Sequence, residues 1–158
     1  MSRVLQSWLP VLCWMGLIFL ISTDLGSANH TSQIIEPLLR WLVPDISTGT
    51  IDLVQTIIRK GAHFTEYGIL ALLTLRAINL SSQSQVEKTG EGYFRSAAIA
   101  LLIAATYAAT DEFHQSFIPS RTPSIYDVLI DSSGAFVTLS AATVWKKIRG
   151  KPAAAIPN

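Results

Sequence analysis

Charge is the scarcest property of this sequence. Only 15% of its 158 residues are Asp, Glu, Lys or Arg, where a soluble domain carries about a quarter. Twelve basic and eleven acidic residues leave a formal charge of +1. With no basic stripe interleaved with aromatics, the chain lacks the electrostatic footprint of a nucleic-acid binder. Cysteine occurs once, as Cys13, inside an apolar run. An intramolecular disulfide is therefore excluded, and the thiol reads as a small core hydrophobe. There is no nucleophile elbow, no phosphatase signature and no His-Glu-x-x-His zinc motif. Internal repeats and low-complexity tracts are missing as well.

What is present is apolar: 49% of the residues, gathered into four runs. They cover about residues 5–22, 61–80, 94–113 and 126–145, each close to the ~20 residues needed to cross a bilayer. The first is entered through Trp8, and the second centres on Ile69-Leu70-Ala71-Leu72-Leu73. Small residues recur in the last two (Ala104, Ala105, Ala108, Gly134, Ser140, Ala141), which suits close packing of helices in lipid. The runs are apolar all round, whereas helices of a soluble bundle keep a polar stripe. The expected fold is all-α: a polytopic membrane protein with about four transmembrane helices in a single domain, 1–150, followed by a disordered cytoplasmic tail at 151–158. A second reading of the first run is a signal peptide cleaved near Gly26-Ser27-Ala28. The intervening Ser22-Thr23-Asp24 and the mid-run Trp14 favour a retained span.

Lysine and arginine set the orientation. Lys146, Lys147, Arg149 and Lys151 follow the fourth run, Arg3 precedes the first, and Arg76, Lys88 and Arg95 flank the loop between the second and third. The positive-inside rule makes all of these cytoplasmic and leaves Arg40, Arg59, Lys60 and Arg121 outside. The long first loop is then extracytoplasmic. It holds two apolar-periodic stretches, Ile34 to Leu42 and Ile51 to Ile58, separated by Pro44 and Gly49. These are expected to form one or two short amphipathic helices at the interface.

Polar residues that stay within the runs carry the chemistry. The second run opens with Lys60, His63, Glu66 and Tyr67 at helical spacing; the third ends in Asp111-Glu112-Phe113-His114-Gln115. Arg121 follows Pro119 in a turn, and the fourth run opens with Ser124, a good N-cap, then Asp127 and Asp131. In the expected topology all three groups lie at the outer ends of their helices. Glu66 and Asp131 sit about 7–8 Å below their helix entrances at 1.5 Å per residue. A charge at a helix centre costs about 2.5–3.5 kcal/mol, so shallow placement and mutual pairing both matter. One outward-opening polar pocket shared by the last three spans is the expectation.

The pattern Lys60-x-x-His63-x-x-Glu66-Tyr67-Gly68, Asp111-Glu112-x-His114-Gln115, then Arg121 with Ser124 and Asp127 resembles the VanZ-like family. These are small multi-span bacterial membrane proteins named after one linked to resistance against teicoplanin. The resemblance covers roughly residues 12–147, and Ser22 fits the family's usual serine at the end of the first span. It implies a cell-envelope role in the bacterial cytoplasmic membrane and fixes no reaction.

Three uses of the pocket stay open beside a structural ion-pair network. In a catalytic site, His63 or His114 would act as acid or base, oriented by Glu66 or Asp111. Lys60 and Arg121 would then neutralise an anionic lipid-linked substrate. In a binding site, Lys60, Tyr67, Glu112, Gln115, Arg121, Ser124, Asp127 and Asp131 would contact a lipid headgroup, an envelope precursor or an amphiphilic drug. A divalent metal held by His63, Glu66, Glu112 and His114 is the third. Arg121 is also placed to bridge to Asp127 or Glu112.

Overall fold

A computed structural model describes residues 3–23, 28–81, 90–119, 121 and 123–149. The tail at 151–158, the loop with Lys88, and Gly26-Ser27 of the possible cleavage site lie outside the described residues. Among the described residues five helices follow one another: α1 (Arg3–Ser22), α2 (Ala28–Leu42), α3 (Thr48–Ser81), α4 (Gly90–Gln115) and α5 (Ile125–Arg149). Among the described residues there is no strand.

Among the described residues three helices, α1, α4 and α5, are long and apolar enough to cross a membrane. Helix α3 is longer than any of them at 34 residues, but His63, Glu66 and Arg76 dilute its apolar run. It also departs from the sequence expectation. The amphipathic stretch around Ile51 to Ile58 does not form a separate short helix; it continues through Arg59-Lys60-Gly61 into the expected second span. No proline interrupts the segment, and glycine inside a helix costs only about 1 kcal/mol relative to alanine. The helix begins where Ser47 caps it, its Oγ accepting from the Thr50 N–H at 3.1 Å. At 1.5 Å per residue α3 is roughly 50 Å long, well beyond a ~30 Å hydrocarbon core. The other amphipathic stretch does form a helix of its own, α2, tied to α3 by Ser32 Oγ and Gln55 Oε1 at 2.9 Å.

Burial is arranged as lipid requires. Large side chains such as Leu12, Leu20, Leu102 and Phe136 face outward, where a soluble protein of this size would expose apolar surface only in small patches. Helix α4 turns a stripe of small residues inward, with Ala100, Ala104 and Ala108 fully buried in one core cluster with Val11, Ile18, Tyr67 and Leu70. Hydroxyls inside the helices satisfy themselves on the preceding turn: Thr74 on the Leu70 carbonyl at 2.8 Å, Ser96 on Gly92 at 3.0 Å, Thr143 on Leu139 at 2.8 Å. The tightest crossing lies between α3 and α5, the most extensively packed pair. There Gly134 lets the α5 backbone ride on that of Phe64, and Gly68 faces Thr138. This crossing sits one residue from His63 and three from Asp131, so it also fixes the spacing of the polar residues.

Candidate functional site

Chain direction brings the polar clusters together. Helices α1 and α4 end, and α3 begins its apolar part and α5 starts, at the same end of the bundle. The contacts bear this out: Ser22 of α1 reaches Asp111 of α4, Lys60 of α3 pairs with Asp127 of α5, and His63 faces Asp131. Four helices build this end, not the three that the sequence pointed to.

Asp111 is its anchor. Its carboxylate is 3% exposed, and Oδ2 accepts from Ser22 Oγ at 2.7 Å and from Gln115 Nε2 at 3.0 Å. The i,i+4 spacing of Asp111 and Gln115 makes the second bond local to α4. The first fastens α1 to α4. Tyr67, fully buried, lies beside the same carboxylate. Next in the chain, Glu112 turns to the α4–α5 connection, where Oε2 accepts from the Ser124 N–H at 3.0 Å. Ser124 in turn caps α5, its Oγ accepting from the Tyr126 N–H at 3.2 Å. Arg121 does not bridge Asp127, which pairs with Lys60. Its guanidinium donates to the Ile21 and Thr23 carbonyls at 3.0 and 3.1 Å. Those carbonyls end α1, where the helix dipole is negative and backbone acceptors need partners.

The remaining members stand deeper or apart. Asp131 is 1% exposed, with Oδ2 3.8 Å from His63 Nδ1. Glu112, Asp111, Asp127 and Glu66 all lie within electrostatic reach of it. Glu66 is half-buried, near Asp111 and Arg121. His114 turns to α1, its ring 4.5 Å from that of Phe19 at a 33° tilt. The two imidazoles therefore have different neighbours. A histidine beside a buried carboxylate, as in His63–Asp131, has the make-up of an acid–base pair. Among the described residues, no three His, Cys, Asp or Glu side chains are arranged to hold a metal ion.

Several buried polar atoms have no hydrogen-bond partner among the described residues: the acceptors are both oxygens of Asp131, Oε2 of Glu66 and Oδ1 of Asp111, and beside them stand His63 Nδ1 and the Tyr67 hydroxyl. Buried polar atoms are nearly always paired, so four orphaned carboxylate oxygens in one cluster mark it as unusual.

Sequence reasoning missed what α1 brings. Ser22 was visible as a residue of the right type, but its bond to Asp111 was not. The Trp14 indole on the Glu66 carbonyl at 2.9 Å and the Tyr107 hydroxyl on the Met15 carbonyl at 2.7 Å also bind α1 to the site helices. Backbone acceptors leave no trace in a sequence pattern; only the polar tips of Trp14 and Tyr107 hinted that such partners would be needed.

Neither the curated proteins nor the solved structures offer a match to this chain. A protein-family model does: VanZ/LLP1 matches residues 7–146, nearly the whole chain. With its apolar helices and the polar end they share, the chain belongs to the VanZ/LLP1 family and is a VanZ-like membrane protein.

Proposed function

We propose that the protein crosses the bacterial cytoplasmic membrane four times with both termini inside. Its polar end then faces outward and binds the headgroup of a cell-envelope lipid, a lipid-linked glycan or a glycopeptide-type ligand. Arg76, Arg95, Lys146, Lys147 and Arg149 lie toward the opposite end of their helices, which supports this orientation. The α3 segment from Gly61 onward serves as the fourth span, with His63 and Glu66 partly buried against neighbouring helices and Arg76 exposed near its inner end. A cysteine placed at exposed Ser116, with Cys13 replaced by serine, should react with an impermeant thiol reagent in intact cells. Labelling only after lysis would reverse the orientation.

The observation that carries the binding reading is the set of orphaned oxygens on Asp131, Glu66 and Asp111. These four oxygens outnumber the donor-capable atoms left beside them, His63 Nδ1 and the Tyr67 hydroxyl, and the two nearby cations are engaged: Lys60 with Asp127, Arg121 with the end of α1. Such a site suits a ligand that offers donors, an amine or a cluster of hydroxyls, better than a bare phosphate. The competing reading is a purely structural network, favoured by the Ser22–Asp111–Gln115 and Glu112–Ser124 bonds. Glu66 separates the two, because among the described residues its carboxylate carries no hydrogen bond between helices.

Glu66→Gln should therefore leave thermal stability in detergent unchanged while weakening retention of the co-purifying envelope ligand roughly tenfold or more, the worth of one charge-assisted hydrogen bond. Mass spectrometry of the purified protein measures the retained ligand, and teicoplanin susceptibility of cells gives the parallel phenotype. Equal retention by both proteins would leave the structural network as the better account.

A further inference from the structure

At the other end of the bundle, α4 and α5 part to form a groove of about 340 Å³. Ala97, Ala98 and Leu101 line one wall; Leu139, Ser140 and Thr143 line the other. Small side chains at Ala97, Ala98 and Ser140 leave the space open, while Phe94, Phe136 and Val144 stand exposed along its rim. Residues 94–101 and 136–144 span roughly 10–12 Å of helix at 1.5 Å per residue, so the groove is elongated along the helix direction. Its lining is almost wholly apolar, and the outer surface of these helices is the lipid-facing one.

The mouth of the groove is basic. One turn beyond Thr143 come Lys146 and Lys147, and one turn before Ala98 comes Arg95, all exposed. Lys146 reaches across from α5 to α4, its Nζ 3.8 Å from the centre of the Tyr93 ring, which keeps its ammonium at this mouth. Arg149 lies over Trp145 at 4.4 Å. Among the described residues here, Glu91 is the acidic counterweight. An apolar slot that opens onto cations matches one kind of molecule in a bilayer, a phospholipid with an anionic headgroup.

We propose that the α4–α5 groove is a specific site for one anionic phospholipid. One acyl chain lies between Ala98 and Ser140, and its phosphate rests on Lys146, Lys147 and Arg95. A zwitterionic lipid would fill the slot equally well but gain less at the mouth. A second copy of the chain would fit the slot without explaining the cations. The site is independent of the polar end and of the orientation proposed above.

The test uses the delipidated full-length protein in detergent, titrated with phosphatidylglycerol or phosphatidylcholine and read by native mass spectrometry. Wild type should hold one phosphatidylglycerol per chain in clear preference to phosphatidylcholine. Lys146→Gln with Lys147→Gln should weaken the phosphatidylglycerol adduct roughly thirtyfold and bring the two lipids level. Ala98→Leu with Ser140→Leu should fill the slot and remove both adducts, while the thermal midpoint confirms a folded protein. If that pair fails to fold, the lysine pair decides by itself. Equal binding of the two lipids by wild type, an unchanged preference in the lysine variant, or a protein dimer in place of the lipid adduct would each overturn the proposal.

Discussion

Gly134→Val is expected to abolish the folded protein. A Cβ at this position would meet the Phe64 carbonyl oxygen at 2.1 Å, its carbon at 2.8 Å and the Phe64 Cα at 3.0 Å. All three are backbone atoms of α3, so no rotamer change relieves the overlap; the helices must separate. Overpacking of this kind costs about 1–3 kcal/mol where side chains can give way, and more where they cannot. Gly134→Ala should already lower the midpoint of thermal unfolding in detergent, and valine should leave only aggregated material on size exclusion. Gly68 supplies the control. Its Cβ would meet Thr138 Oγ1 at 2.6 Å, but that is the end of a side chain, and the nearest backbone atom is 3.4 Å away. Gly68→Ala should therefore be the milder change. Equal loss at the two sites would mean that the α3–α5 crossing is looser than these distances require. Separation also moves His63 away from Asp131, so the alanine variant should lose ligand before it loses its fold.

That coupling explains which parts of the site were legible in the sequence. The three polar clusters could be read because each breaks an apolar run, and alternating chain direction then puts their ends together. Ser124 was recognisable as a cap from its place before Ile125, and it caps α5. The length of α3 was hidden. Arg59-Lys60-Gly61 looks like a membrane boundary, and a boundary in polarity need not be a boundary in backbone structure. The role of Arg121 was hidden for another reason: its partners are the carbonyls of Ile21 and Thr23, and any pair of residues presents carbonyls. Charge pairing was legible only as a set of candidates. Arg121 was the candidate partner for Asp127 or Glu112, and the α3–α5 crossing gives Asp127 Lys60 instead. The α4–α5 groove had no signature beyond small residues, which elsewhere on α4 form packed interior instead.

Asp111→Ala should be the most damaging single change within the polar end, and its damage should fall on stability first. The substitution strands Ser22 Oγ at 1% residue exposure and the Gln115 amide at 5%. A buried polar group left unpaired costs about 1–3 kcal/mol, and hydrogen bonds between membrane helices contribute about 1–2 kcal/mol or less, so a loss near 2–4 kcal/mol is expected for the pair. Asp111→Asn keeps an amide oxygen that can accept from both donors, replacing charge-assisted bonds by weaker neutral ones, and should cost about 1 kcal/mol. Unfolding of the purified protein in graded detergent mixtures measures both. Ser22→Ala provides the cross-check: combined with Asp111→Ala it should add little, because the alanine at 111 has already broken the bond that Ser22 makes. Full additivity would show that the Ser22–Asp111 bond does not join α1 to α4. The carboxylate of Asp111 has a second oxygen without a hydrogen-bond partner among the described residues, beside Tyr67 and within reach of Asp131. Asp111→Asn removes the charge there while sparing most of the fold, so it should weaken ligand retention by more than its small stability cost predicts. Asp111 thus holds the fourth helix of the site in place with one oxygen, and in the proposed binding role it is the other oxygen that meets the ligand.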